Sequence, residues 1–129
     1  MFSFQSFALV MCGGGLGAAA RYAVTALVGM RFGTAFPFGT LAVNVVGSFL
    51  MGALMMFAIH QRLTLSEPVR LFLAVGFLGG FTTFSSFSME TLTLLEEQEY
   101  FYACGNMLLN VLLGILAAGG GCYVIRSLA

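Results

Sequence analysis

Residues 76–91 read Gly-Phe-Leu-Gly-Gly-Phe-Thr-Thr-Phe-Ser-Ser-Phe-Ser-Met-Glu-Thr, and they lie inside a hydrophobic stretch long enough to cross a bilayer. The types and spacing fit ion handling. Adjacent glycines, here Gly79 and Gly80, and consecutive hydroxyls, here Thr82, Thr83, Ser85, Ser86 and Ser88, loosen a helical ladder. A break at Gly79-Gly80 frees carbonyls at the end of one half-helix and N–H groups at the start of the next. Thr82 or Thr83 is placed to cap that second half. Freed carbonyls coordinate a small cation, whereas N–H groups and the positive end of the dipole attract an anion. Phe84 and Phe87 fall near one helical face, and the positive edge of an aromatic ring stabilises an anion without a fixed charge. In hydrocarbon, loosened backbone is tolerated only where protein or a cavity surrounds it. The run therefore reads as a broken helix at an ion or substrate pathway.

Other polar residues follow helical spacing. Thr40, Asn44 and Ser48 stand at i, i+4 and i+8, so they share one face, and Ser48 with Gly52 extends it as a small-residue seam. Asn106, Asn110 and Gly114 repeat the pattern near the C-terminus. Each set serves either as interhelical glue, about 0.6 to 2 kcal/mol per bond, or as the lining of a polar track. Arg21 is either a headgroup anchor or a cation at the mouth of an anion path. Glu90, an ionisable group near the end of a span, is a functional candidate. Gly13-x-Gly15-x-x-Ala18 imitates a dinucleotide fingerprint, but no strand or βαβ unit surrounds it. Gly13 and Gly17 instead form a small-xxx-small packing face.

The elements that carry these residues follow from composition. The chain is 60% hydrophobic and 8% charged, against about 25% charged in a soluble domain. Charge-free segments run over Phe2–Ala20 (continuing past Arg21 to Met30), Phe32–Ile59, Leu71–Met89 and Tyr100–Ile125. Each approaches or exceeds membrane length. This gives an all-α membrane protein of four transmembrane helices, with the third broken, in one domain over residues 1–129. Ser66-Glu67-Pro68 opens the third helix, with Pro near its first position. The N-terminal stretch lacks the basic region of a signal peptide, so it reads as an uncleaved span.

There is no Lys, which excludes a polybasic nucleic-acid patch. Arg62, Arg70 and Arg126 fall on one side of the membrane and Arg21 and Arg31 on the other, a weak bias compatible with insertion in both orientations. Cys12, Cys104 and Cys122 have no metal-ligand spacing and read as small apolar packers. No His/Cys/carboxylate cluster or nucleophile–base spacing supports an enzyme.

Three ordered stretches resemble the Fluc (CrcB) family of fluoride channels. They are Gly14-x-x-Gly17-Ala18-x-x-Arg21-Tyr22, then Gly39-Thr40-Leu41-x-Val43-Asn44-x-x-Gly47-Ser48-Phe49-x-x-Gly52, and residues 76–90. The resemblance covers essentially the whole chain. It implies a passive fluoride channel of the bacterial inner membrane that relieves cytoplasmic fluoride toxicity. It further implies an antiparallel, dual-topology homodimer with two pores. It assigns Asn44, Phe84, Phe87, Thr83, Ser85, Ser86 and Asn110 to the fluoride path, and Arg21 and Glu90 to its vestibule. It places a structural sodium ion on the backbone carbonyls of Gly79 and Thr82. The fourth-helix track is usually Ser/Thr-rich in the family, whereas Asn106 and Asn110 stand here.

Two rival readings remain at this stage. A small four-span multidrug exporter needs an intramembrane carboxylate; no acidic residue lies within the charge-free segments before Glu90, and there is no Trp to line a drug pocket. A structural membrane subunit would use its glycines only for packing.

Overall fold

A computed structural model describes residues 2–60 and 65–128; Arg62, one of the arginines weighed for orientation, lies outside them. Among the described residues there are helices and no strand. Helix α1 (Phe4–Phe32) starts at Ser3, whose Oγ accepts the Ser6 N–H at 3.1 Å, and stops at Gly33 with φ 80°. That left-handed backbone suits glycine. Helix α2 (Phe38–His60) follows Pro37. The third span comes in two parts, α3 over residues 67–81 and α4 (Phe84–Glu96), and α5 (Tyr100–Leu128) closes the chain. Four helical stretches, Phe4–Phe32, Phe38–His60, Glu67–Glu96 and Tyr100–Leu128, are long and apolar enough to cross a membrane.

The third span departs from expectation in two ways. First, after an α-helical turn over Glu67–Arg70, it is π-helical over Leu71–Leu78, a widened coil that the Gly79 N–H still joins by bonding Ala74 O. Second, the glycine pair does not break it. Gly79 is helical, with φ −63° and ψ −37°, and the helix runs on through Phe81. The interruption falls at Thr82 (φ −83°, ψ 156°) and Thr83 (φ −150°, ψ 113°), both extended. Two β-branched residues whose hydroxyls find backbone partners favour such a conformation. The expected break is present, shifted from the glycines to the threonines.

The glycines serve packing instead. α1 lies against α3 so closely that a Cβ on Gly13 would strike Phe72 O, and one on Gly17 would strike Phe77 O. From the other side, a Cβ on Gly80 would meet Gly14 O, and one on Gly76 would meet the Gly13 Cα at 3.0 Å. α2 and α5 use the same device where Gly52 faces Ala118 O and Gly121 faces Phe49 O. In lipid no hydrophobic force drives helices together, and small residues that let backbones approach supply the dispersion contact. Val43 and Ala103 are fully buried between these layers. Phe36 meets Tyr102 edge-on, at 5.8 Å between ring centroids, and so ties the turn after α1 to α5.

The cysteines correct the sequence reading in part. Cys122 reaches Gly52 O at 3.3 Å inside the α2–α5 seam, but Cys12 and Cys104 lie on the exposed surface of the subunit.

Gly17→Ala is expected to destabilise the folded protein by about 1–3 kcal/mol, because a methyl has no room beside the Phe77 carbonyl. Gly15→Ala, with nothing within 4 Å of the added carbon, should keep stability or raise it by up to about 1 kcal/mol. Thermal unfolding in detergent separates the two; equal melting points would mean that the α1–α3 crossing is not close.

Candidate functional site

The extended pair Thr82-Thr83 leaves polar backbone at membrane depth, and the N–H of Thr82 and both backbone groups of Thr83 have partners within the chain. The Thr82 N–H and Oγ1–H both bond Leu78 O, at 3.1 and 2.9 Å. The Thr83 N–H donates to Asn44 Oδ1 at 2.8 Å, and Thr83 O accepts from Asn44 Nδ2 at 3.1 Å. One carboxamide on α2 thus replaces both backbone bonds of one residue. The Thr83 Oγ1 caps α4 by accepting the Ser86 N–H at 3.2 Å, and its hydroxyl donates to Ser86 Oγ at 3.0 Å. Gly80 O, at the open C-terminal end of α3, accepts from Arg21 Nε at 3.0 Å. A cation there opposes the partial negative charge of a helix C-terminus.

These diversions have a consequence for two other carbonyls. The i+4 amides that would serve Gly79 O and Thr82 O belong to Thr83 and Ser86. Both of those N–H groups are taken by side chains, Asn44 Oδ1 and Thr83 Oγ1.

Beside the break lies a cleft of about 380 Å³ lined by Asn44, Ser48, Thr82, Thr83, Phe84, Phe87 and Asn110, with apolar residues between them. The Phe84 and Phe87 rings are 5.5 Å apart between centroids and tilted by 55°. Phe87 is buried, whereas Phe84 is 78% exposed on the single subunit. A second cavity, of about 310 Å³, takes in Arg21, Thr25, Thr40, Thr83, Ser86 and Glu90. A third, of about 200 Å³, runs from Thr25, Thr40 and Glu90 to the turn at 33–37. The second shares Thr83 with the cleft and Thr40 and Glu90 with the third, so the three lie in series from the end of α1 to the break.

The residues singled out in the sequence divide accordingly. Asn44, Thr83, Phe84, Phe87 and Asn110 meet in the cleft. Arg21, Ser86 and Glu90 meet in the adjoining cavity. Gly79 and Ser85 line neither and are exposed on the subunit surface, although Ser85 Oγ stands 3.5 Å from Thr83 Oγ1. Asn106 is fully buried behind Asn110. Three partners were not anticipated. Thr40 donates to Glu90 Oε1 at 2.7 Å, while Glu90 Oε2 is buried with no hydrogen-bond partner among the described residues. Thr91 accepts from Asn106 at 3.0 Å, and the Gly80 carbonyl receives Arg21. Thr40 shares the Asn44 face in the sequence; nothing in the linear pattern pairs it with a residue fifty positions away.

The fold and site define a multi-pass helical membrane protein with a cleft at a helix break, largely apolar but carrying Asn, Ser and Thr side chains. The model of the family described as "CrcB-like protein, Camphor Resistance (CrcB)" matches residues 8–122. A fluoride-specific ion channel FluC of Vibrio vulnificus is 42% identical over 127 residues, 98% of this chain and 100% of the relative. Proteins of the same name from Geobacter sulfurreducens and Magnetococcus marinus are each 48% identical, over 115 and 122 residues. These cover 89% and 95% of this chain and 92% and 98% of the relatives. The chain belongs to the CrcB family.

Asn44→Asp turns two donated bonds into contacts between acceptors. It is expected to lower stability by about 1–3 kcal/mol or more, the cost of leaving buried groups unpaired. Ser48→Ala, in the same cleft, should be within about 0.5 kcal/mol of the parent. Denaturation of the three proteins side by side checks this; a stable Asn44→Asp would mean that the break is held by other groups.

Proposed function

We propose that the chain is a passive fluoride channel. The observation that carries this is the meeting of the helix break, the Phe84 and Phe87 rings and Asn44 in one cleft, in a chain whose relatives are named fluoride-specific ion channels. Fluoride is small and strongly hydrated, so dehydration requires close donors. The path starts in the cavity with Arg21 and Glu90, passes the hydroxyls of Thr83 and Ser86, with Ser85 Oγ on the subunit surface 3.5 Å from Thr83 Oγ1, and reaches the ring edges of Phe84 and Phe87. Asn44 and Asn110 form the wall of its narrow part. Arg21 gives its Nε to Gly80 O and lines the second cavity. Among the described residues no charged side chain lines the cleft that holds the rings, and a conducting site must release the ion as readily as it binds it.

The working unit is an antiparallel homodimer of dual-topology subunits with two paths. A largely apolar cleft that nonetheless holds Asn44, Ser48, Thr82, Thr83 and Asn110, beside a Phe84 that is 78% exposed, calls for a protein wall rather than lipid over those polar groups. An inverted copy supplies one, as inverted repeats do in transporters. Gly79 and Ser85 lie on exposed surface near the same break.

The backbone also fits a structural cation. Gly79 O and Thr82 O have lost their i+4 amides to side chains, and two inverted copies bring four such oxygens to one axis. Sodium held there would offset the carbonyl ends of the two α3 helices. The protein acts in the bacterial plasma membrane, exports fluoride from the cytoplasm, and performs no covalent chemistry.

Liposomes containing only this protein are expected to release fluoride quickly, exclude chloride and need no proton gradient. Phe84→Ile and Phe87→Ile should each slow fluoride release about tenfold or more, a barrier rise of about 1.4 kcal/mol or more. Undiminished release in both variants would sink the role of the ring edges, and equal chloride release from the parent would sink the channel reading.

For the dimer, a single cysteine at Ser66 in a protein lacking Cys12, Cys104 and Cys122 should react with impermeant reagent from both faces of the membrane. Labelling from one face only, in a conducting protein, would rule out the inverted pair.

A further inference from the structure

The polar residues behind the cleft are joined in one direction. The Thr83 N–H donates to Asn44 Oδ1 at 2.8 Å, and Asn44 Nδ2 donates to Asn110 Oδ1 at 2.9 Å. Asn110 Nδ2 donates to Asn106 Oδ1 at 2.9 Å, and Asn106 Nδ2 to Thr91 Oγ1 at 3.0 Å. Thr91 Oγ1 then donates to Phe87 O at 2.8 Å. The series leaves α4 at its cap, crosses α2, passes twice through α5, and returns to α4 one turn beyond its start. Each side chain in it both accepts and donates.

Both N–H groups of Asn44 and of Asn110 are occupied. The second N–H of Asn44 goes to Thr83 O, and Asn110 Nδ2 also donates to Asn106 O at 2.9 Å. Most of the series is shielded: Asn106 is 0% exposed and Thr91 and Asn110 are buried, while Asn44 is half-buried at the cleft wall. In a low-dielectric interior, bonds aligned head to tail polarise one another, so the loss of one weakens its neighbours. The ends of the series, Thr83 and Phe87, bracket the segment that carries both rings.

We propose that this closed relay fixes the spacing and tilt of Phe84 and Phe87, and that Thr91 and Asn106, which line neither the cleft nor the adjoining cavity, are positioning residues for the ion path. The alternative is a set of separate interhelical bonds, each holding only its own pair of helices. The two differ in reach. In a relay, removing the Thr91 hydroxyl is felt at the Thr83 amide, on the far side of two other helices. With separate bonds, the effect stops at Asn106 and Phe87.

The consequence for transport rests on the fluoride-channel reading; the coupling itself does not. The test compares the parent with Thr91→Val, which keeps the shape and removes the hydroxyl, and Thr91→Ser, which keeps the hydroxyl. Two quantities are read from each reconstituted protein: the Thr83 amide proton by NMR, as shift and exchange rate, and fluoride release from liposomes. Thr91→Val is expected to move the Thr83 proton upfield, speed its exchange, and slow fluoride release about tenfold, the worth of one buried hydrogen bond. Thr91→Ser should restore both. Should Thr91→Val fail to fold, Thr91→Ala takes its place in the same comparison.

A Thr83 amide that does not respond would overturn the relay, whatever happens to flux. A Thr83 amide that moves while a conducting parent and variant release fluoride equally would overturn its role in positioning the path. A parent that passes no fluoride would defeat the channel reading, and the Thr83 response would still decide whether the relay exists.

Discussion

An extended residue in the middle of a membrane helix presents an N–H and a C=O to hydrocarbon, where each unpaired group costs several kcal/mol. Asn44 takes both from Thr83, at 2.8 and 3.1 Å. The other features of the site depend on this grip. It lets α3 end and α4 begin inside the span, and so frees the Thr83 hydroxyl to cap α4. It turns Phe84 and Phe87 into one cleft, and it diverts the amide that would have served Gly79 O. Without a carboxamide at position 44, a continuous helix would be the cheaper structure, and neither the cleft nor the free carbonyls would exist.

The grip works because the surrounding helices hold α2 and the third span in register. That support comes from glycine. α1 sits against the π-helical part of α3 through Gly13, Gly17, Gly76 and Gly80, with backbone nearly touching backbone. The same closeness brings Arg21 within reach of Gly80 O, so the open end of α3 is capped by a residue of a different helix. On the other side, Gly52 and Gly121 press α2 onto α5, which sets Asn110 beside Asn44. The polar site and the small-residue seams form one design, in which close backbones bring short side chains within hydrogen-bond distance.

Much of this was legible in the residues. Hydropathy gave the four spans, and the i, i+4 spacing put Thr40, Asn44 and Ser48 on one face and Asn106 and Asn110 on another. The break was legible as a fact and misplaced by three residues, from Gly79 to Thr82. Intrinsic weakness of Gly79-Gly80 pointed to the glycines, but tertiary packing spends Gly80 on the approach of α1 and keeps the helix intact there. The extended backbone falls instead where hydroxyls and Asn44 offer the freed groups other partners. The π-helical coil over Leu71–Leu78 has no signal in an apolar run of this kind. The direction of the amide bonds and the pairing of Thr40 with Glu90 arise only in three dimensions. The exposed Cys12 and Cys104 show the same limit, since an apolar helix does not declare which face meets its own subunit.

We propose above all that the break forms a passive path for fluoride. Its most direct test is the reversal potential of the current through a planar bilayer containing the purified protein. A fluoride gradient is set across the membrane, chloride is equal on both sides, and the proton gradient is varied independently. The account predicts a reversal at the fluoride equilibrium potential that the proton gradient does not move. A reversal that stays at zero with chloride, or one that follows the protons, would contradict it.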